Sequence, residues 1–267
     1  MFLWLLTFYQ TGPNGLFYFV SSVQFNFTIG KFKIFLFLLI FYDKLIIVIK
    51  ISINEEKMRK KNIYSICIGL PIFLILAFSI MAHASWVTGF DNFFEGLVHS
   101  IPNLQSIMHV ITFLADTKVD LVWMLLIAVI LWLKKQRPLS ASIVISLVTA
   151  DAFGWIVKHI IQRARPTAHL AADDGFSFPS GHTLGMAIIV FWLILILIPA
   201  LVKNKTAKIW LTVLLAIWLV LVMISRVYLY AHWPSDVCGS VAMGLMWIGL
   251  VDAIWDKVTP QTDKNNF

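Results

Sequence analysis

The sequence predicts an all-α polytopic membrane protein, a bundle of six transmembrane helices with its active site at the outer membrane boundary. Three observations predict it. Of the 267 residues, 60% are hydrophobic and 13% charged, against roughly 25% charged in an average soluble domain. From Met58 onward, six apolar stretches fall at about 63–84, 119–133, 139–157, 183–202, 208–226 and 236–255, read as spans of a hydrocarbon core about 30 Å thick. Basic clusters then alternate with them, and the net charge of +7 resides in those clusters. They form no stripe with interleaved aromatics, so nucleic acid is not the implied partner; the lipid bilayer is.

The segment before Met58 differs in kind. Residues 1–57 contain no Ala, Arg or His yet hold ten of the 21 Phe, and their apolar run Ile34 to Ile53 is broken by Asp43, Lys44 and Lys50. This is the vocabulary of AT-rich codons, and Glu55-Glu56-Lys57 matches a purine-rich stretch of the kind that precedes bacterial start codons. The expectation is a leader that is translated upstream sequence, with Met58 as the true start. A divergent extra membrane or interfacial helix is the alternative, and an intact-mass measurement on protein made from the native gene separates the two. Residues 58–257 then form one transmembrane domain, and 258–267 a polar C-terminal tail.

The first span begins with Arg59-Lys60-Lys61 and ends near Ala82-His83-Ala84, which imitates a signal peptide. Its apolar core is nearer 20 residues than the 7 to 15 of a signal, so an uncleaved helix is expected. Lys134, Lys135 and Arg137 follow the second span, and Lys203, Lys205 and Lys208 the fourth. With alternating helices all these cations share one side, which the positive-inside rule makes the cytoplasm. That places both termini of the domain inside and an interfacial segment, Ser85 to Lys118, outside. Cys67 and Cys238 have no metal-ligand spacing around them and read as packing residues.

Three short strings also land outside: Lys158 to Pro166, Phe178 to His182 and Ser225 to Asp236. Ionisable groups are costly near a bilayer, so their concentration marks a functional site. Lys158 and Arg165, seven residues apart, would share a helix face ending at Pro166 and converge on an anion, or snorkel separately at the interface. Arg163 and His159 fall on other faces and read as interfacial. Ser180-Gly181-His182 opens an apolar helix, where unpaired amides favour an anion; Ser180 serves as cap, phosphate donor or both. Asp236 lies four residues after His232, in reach of an imidazole hydrogen bond that would fix the tautomer and leave the other nitrogen free to attack. Histidine and carboxylate also suit zinc, but three cations in one site repel it, so no metal is expected.

Asp151 shares a face with Lys158 and reads as an interior hydrogen-bonding group. Asp173, Asp174 and His169 read as a solvated loop face, and Trp86, Trp155 and Trp233 as an outer aromatic belt, with Trp233 also able to line a lipid entrance.

Together the residues resemble, at every signature position, the type 2 phosphatidic acid phosphatase superfamily in its bacterial membrane-bound form. The resemblance spans about residues 63–255. It implies a hydrolase for phosphorylated membrane lipids, such as phosphatidylglycerophosphate, phosphatidic acid or undecaprenyl diphosphate. By this resemblance His232 attacks phosphorus and becomes a phosphohistidine, Asp236 orients it, and His182 protonates the leaving oxygen and later activates water. Lys158, Arg165 and Arg226 hold the phosphoryl oxygens with Ser180 and the Gly181 amide, and no cofactor is required. Phosphotransfer to an alcohol would use the same residues. A non-catalytic phosphate-lipid binder or transporter would need the cations but not the histidines. The family also resembles vanadium haloperoxidases at the anion site, so inhibition by vanadate is expected.

Overall fold

In the computed structural model the described residues are 9–11, 17–19, 60–169 and 174–258. The chain divides into two units, Met1–Ile51 and Ser52–Phe267. In the first, β1 (Tyr9–Thr11) and β2 (Phe17–Phe19) pair antiparallel, with Tyr9 opposite Phe19. The apolar run expected at 34–53, the start assigned to Met58, Asp173 and the tail beyond Val258 lie outside the described residues.

The second unit is helical: α1 (Lys60–Met81), α2 (Ser85–His99), α3 (Gln105–Leu114), α4 (Thr117–Leu133), α5 (Arg137–Ile161), α6 (Gly181–Leu201), α7 (Lys205–Tyr228) and α8 (Pro234–Val258). Five of these, α1, α5, α6, α7 and α8, are long and apolar enough to cross a membrane. The remaining expected span is α4, whose 17 residues reach about 25 Å at 1.5 Å per residue. The interfacial segment becomes two short helices, α2 and α3, because the two apolar stretches are separated by Ser100-Ile101-Pro102-Asn103, where Asn103 takes a positive φ of 63°.

Helix α8 packs most closely on α1. A Cβ added at Gly69 of α1 would stand 2.6 Å from the Met246 amide, so only glycine permits this approach; small residues do the same work at helix contacts inside bilayers. Helix α6 passes through a π segment, Leu193–Leu197, just before Pro199. Proline has no N–H to give the carbonyl four residues back. That carbonyl, Leu195 O, instead accepts from Lys61 Nζ at 2.5 Å, and the same ammonium lies 3.2 Å from Asp252 Oδ2. The basic ends of α1, α4, α5, α6 and α7 therefore gather opposite the ends that carry the three strings.

Two local expectations change. Lys158 and Arg165 do not share a helix face, because α5 stops at Ile161 on Gln162, which takes the left-handed φ of 52°. The residue before a proline avoids the helical region, and residues 162–166 are outside any helix. Cys67 is exposed on the outer face of α1 rather than packed.

Candidate active site

His232 sits in the turn between α7 and α8, 2% exposed. The turn is built on Arg226: its carbonyl accepts from both the Ala231 amide at 3.0 Å and the His232 amide at 3.2 Å. Asp236 stands three residues past Trp233 in the first turn of α8, and its Oδ2 accepts from the Trp233 amide at 2.9 Å. This reach-back from the third helical position is half of a capping box, and Pro234 fills the position where an N–H is dispensable. Oδ2 also accepts from Ser177 Oγ. It lies 3.7 Å from His232 Nδ1, while Ser177 Oγ lies 3.4 Å from that nitrogen. The direct imidazole–carboxylate hydrogen bond expected from the spacing is thus lengthened, with Ser177 occupying the corner between the two groups.

The other ring nitrogen faces a cation. Arg165 Nη1 is 3.3 Å from His232 Nε2 and donates to Ala231 O at 2.6 Å, while its Nε and Nη2 donate to the Gly175 and Asp174 carbonyls at 3.2 and 2.9 Å. Arginine only donates, so Nε2 is the lone-pair nitrogen and Nδ1 carries the proton. Burial pushes the His232 pKa from 6.5 down to about 4; Asp236 opposes the shift, and Arg226 and Arg165 add to it. Arg226 is 3% exposed and donates to Thr112 Oγ1 of α3 at 3.4 Å.

His182 belongs to a second, more open group. Ser180 is the N-cap of α6; its Oγ accepts from the Thr183 amide at 3.4 Å, and its own amide donates to Ser240 Oγ of α8 at 2.8 Å. Ser240 in turn donates to Asp236 O at 2.7 Å, which ties this loop to the turn below His232. Phe178 is fully buried, and a side chain at Gly239 would run into its ring. His182 Nε2 lies 3.3 Å from Asp116 Oδ2, with side chains 19% and 39% exposed respectively. Asp116 also caps α4, accepting from the Lys118 amide at 2.9 Å. Lys158 is half-buried in the last turn of α5.

Several partners went unread in the sequence. Arg163, expected at the interface, is drawn inward: its Nη1 donates to Asp236 Oδ1 at 2.6 Å and Ser235 Oγ at 2.7 Å, and its Nη2 to Asp91 Oδ2 at 2.6 Å. Ser177 and Asp116 carried the weaker signal of a hydroxyl beside the second string and an acid before an apolar run. His159 is exposed as expected, and His169 Nδ1 lies 2.6 Å from Pro166 O. The Trp233 indole donates to Ala164 O at 2.9 Å, so it clamps the first string to the third. Asp120, one turn past Asp116, is buried with neither oxygen hydrogen-bonded among the described residues.

The chain is similar to known proteins. The family model described as PAP2 superfamily matches residues 139–260, the span that holds all three strings. YbjG of Escherichia coli (strain K12) is 33% identical over 144 residues, 50% of this chain and 67% of that protein. The chain belongs to the PAP2 superfamily. Among other PAP2 relatives, an undecaprenyl-diphosphatase of Sulfolobus acidocaldarius is 29% identical over 213 residues, 76% of this chain and 95% of its own. The crystal structure of the first transmembrane PAP2 type phosphatidylglycerolphosphate phosphatase, from Bacillus subtilis, superposes with a TM-score of 0.64 at 28% identity, covering 74% of this chain and 99% of that one.

Proposed function

We propose that this chain, a lipid phosphatase of the PAP2 type, hydrolyses a phosphate monoester or diphosphate of a membrane lipid through a covalent phosphohistidine on His232. The observation that carries the reading is the Arg165 guanidinium 3.3 Å from His232 Nε2. A phosphoryl oxygen drawn to that cation brings phosphorus within reach of the lone pair. Phosphoryl transfer asks mainly for positioning and for compensation of charge on the equatorial oxygens. Arg165, Arg226 and Lys158 supply the charge, and Ser180 and the Gly181 amide supply further donors.

The steps then balance. The Nε2 lone pair forms the P–N bond as the P–O bond to the lipid breaks, and His182 gives its proton to the departing oxygen. Asp236 and Ser177 face Nδ1–H and stabilise the positive charge that develops on the ring. Water next attacks phosphorus, His182 takes its proton, and the P–N electron pair returns to Nε2 as phosphate leaves. No step calls for a metal.

Phosphatidylglycerophosphate, phosphatidic acid and undecaprenyl diphosphate share the chemistry such a site reads. A shallow apolar groove of about 200 Å³ between α4, α6 and α7, lined by Trp123, Met186, Leu193 and Trp218 among others, supports sideways approach from lipid. Met186 stands one turn beyond His182, so a tail in that groove leaves its phosphate near the site. The basic helix ends opposite the site support a cytoplasmic-membrane location with the site outward. Phosphate release from the three lipids by purified protein, with chelator present and with vanadate as inhibitor, tests the reading. Release without divalent metal and loss of it with vanadate are expected; release that requires magnesium would overturn the three-cation mechanism.

A further inference from the structure

Arg163, its side chain 15% exposed, and Asp91 form a layer behind Asp236 that the reaction steps above do not use. Asp91, on α2, is 2% exposed. Its Oδ1 accepts from the Ser235 amide at 2.8 Å, and its Oδ2 from Ser235 Oγ at 3.0 Å and from Arg163 Nη2 at 2.6 Å. A carboxylate from another helix therefore satisfies an amide in the first turn of α8, where such donors have no partner within the helix. Arg163 completes the frame by holding Asp236 Oδ1 and Ser235 Oγ with its other arm. Trp233 lies 5.5 Å from the guanidinium and covers it.

The two oxygens of Asp236 are thereby divided. Oδ1 is taken by Arg163, and Oδ2 is left to Ser177, the Trp233 amide and the His232 ring. Rotation of the carboxylate would break the short Arg163 contact, so the orientation toward the imidazole is fixed from behind. Lysine offers one point charge and cannot span two carboxylates as a planar fork does. The guanidinium also separates two buried like charges, Asp91 and Asp236, which would otherwise repel one another.

We propose that Arg163 and Asp91 are positioning residues that set the angle of Asp236 against His232. This inference rests on the reading of His232 as nucleophile. It predicts damage to the chemical step and not to phosphate binding. In purified full-length protein, Arg163→Gln is expected to lower kcat by about 10- to 100-fold, the size that outer partners of a positioned histidine carry. KM for a phosphorylated lipid and the inhibition constant of inorganic phosphate, which occupies the cradle without forming the P–N bond, should stay within about threefold, since a group felt only in the transition state changes kcat alone. Arg163→Lys should fall between. Asp91→Asn combined with Arg163→Gln should cost less than the two single losses multiplied, because it removes the stranded charge.

A rise in the inorganic phosphate constant matching the fall in kcat would overturn the proposal by moving Arg163 into the phosphate cradle. Unchanged kcat per folded protein, with only less folded protein recovered, would overturn it as well. If Arg163→Gln does not fold, Arg163→Lys and Asp91→Asn carry the same two readouts. Normal turnover by His232→Ala would instead sink the nucleophile reading itself, whatever the Arg163 variants do.

Discussion

The two histidines occupy opposite kinds of surroundings. His232 is 2% exposed, in a turn fixed by Arg226, Ser177, Asp236 and Arg165. His182 is 19% exposed at the mouth of α6, beside a carboxylate twice as open. On the roles proposed for them, the contrast teaches that a nucleophile and a proton carrier need different things. Attack on phosphorus demands a neutral nitrogen held at one angle, and burial supplies both by disfavouring the charged ring. Proton traffic with a leaving group and with water demands access.

The contrast can be broken most directly at His232. His232→Ala should abolish trapped phosphoenzyme and reduce phosphate release to background, measured by radiolabel incorporation from a labelled lipid phosphate. His182→Ala should be milder, since general acid–base catalysis is typically worth 10² to 10⁴-fold, and should leave a slow but measurable steady state. If both variants were equally dead, the division of labour would be wrong.

Smaller effects sharpen the same division. Ser177→Ala removes one donor from the Asp236–His232 corner and should lower kcat by roughly tenfold, equivalent to about 1.4 kcal/mol, with KM nearly unchanged. The acid limb of kcat/KM assigned to His232 should fall near pH 4, well below an ordinary histidine, because burial depresses its pKa. Its sign on stability follows. Between pH about 6.5 and 4 the unfolded chain binds a proton that the folded one refuses, so stability is full above 6.5 and declines as pH falls through this window. Thermal unfolding in detergent should show a smaller acid-side fall in Tm for His232→Gln than for the unchanged protein.

Much of the site was legible because its parts are written in short strings. His232 and Asp236 are four residues apart on one turn, and Ser180-Gly181-His182 sits at a helix start that hydrophobicity alone reveals. What escaped was contact across the chain. Asp91 and Arg163 are 72 residues apart, as are Arg163 and Ser235, and Ser177 lies 59 from Asp236. No local period encodes such pairs; the packing of α2 and the loop after α5 against α8 does. Arg163 was misplaced for a related reason. Helical spacing continued past Ile161 put it on an outer face, whereas the left-handed Gln162 turns the chain inward and sends the same side chain to Asp236. Five of the six expected spans were readable from apolar length, while α4 stops at 17 residues because the polar Asp116 cap and Lys134 bound it closely.

The burial of His232 has a last consequence for what the enzyme can accept. In the proposed mechanism one side of phosphorus is committed to Nε2, so the departing lipid oxygen and the incoming water would use the same opposite side, in line with the nitrogen. In that mechanism the exchange is a revolving door that opens on the side of His182. How long the departing lipid alcohol lingers there sets how often it, rather than water, takes the phosphoryl group back. On the proposed mechanism, hydrolysis or transfer would be decided by traffic at the membrane surface and not by any difference in the residues assigned to the chemistry.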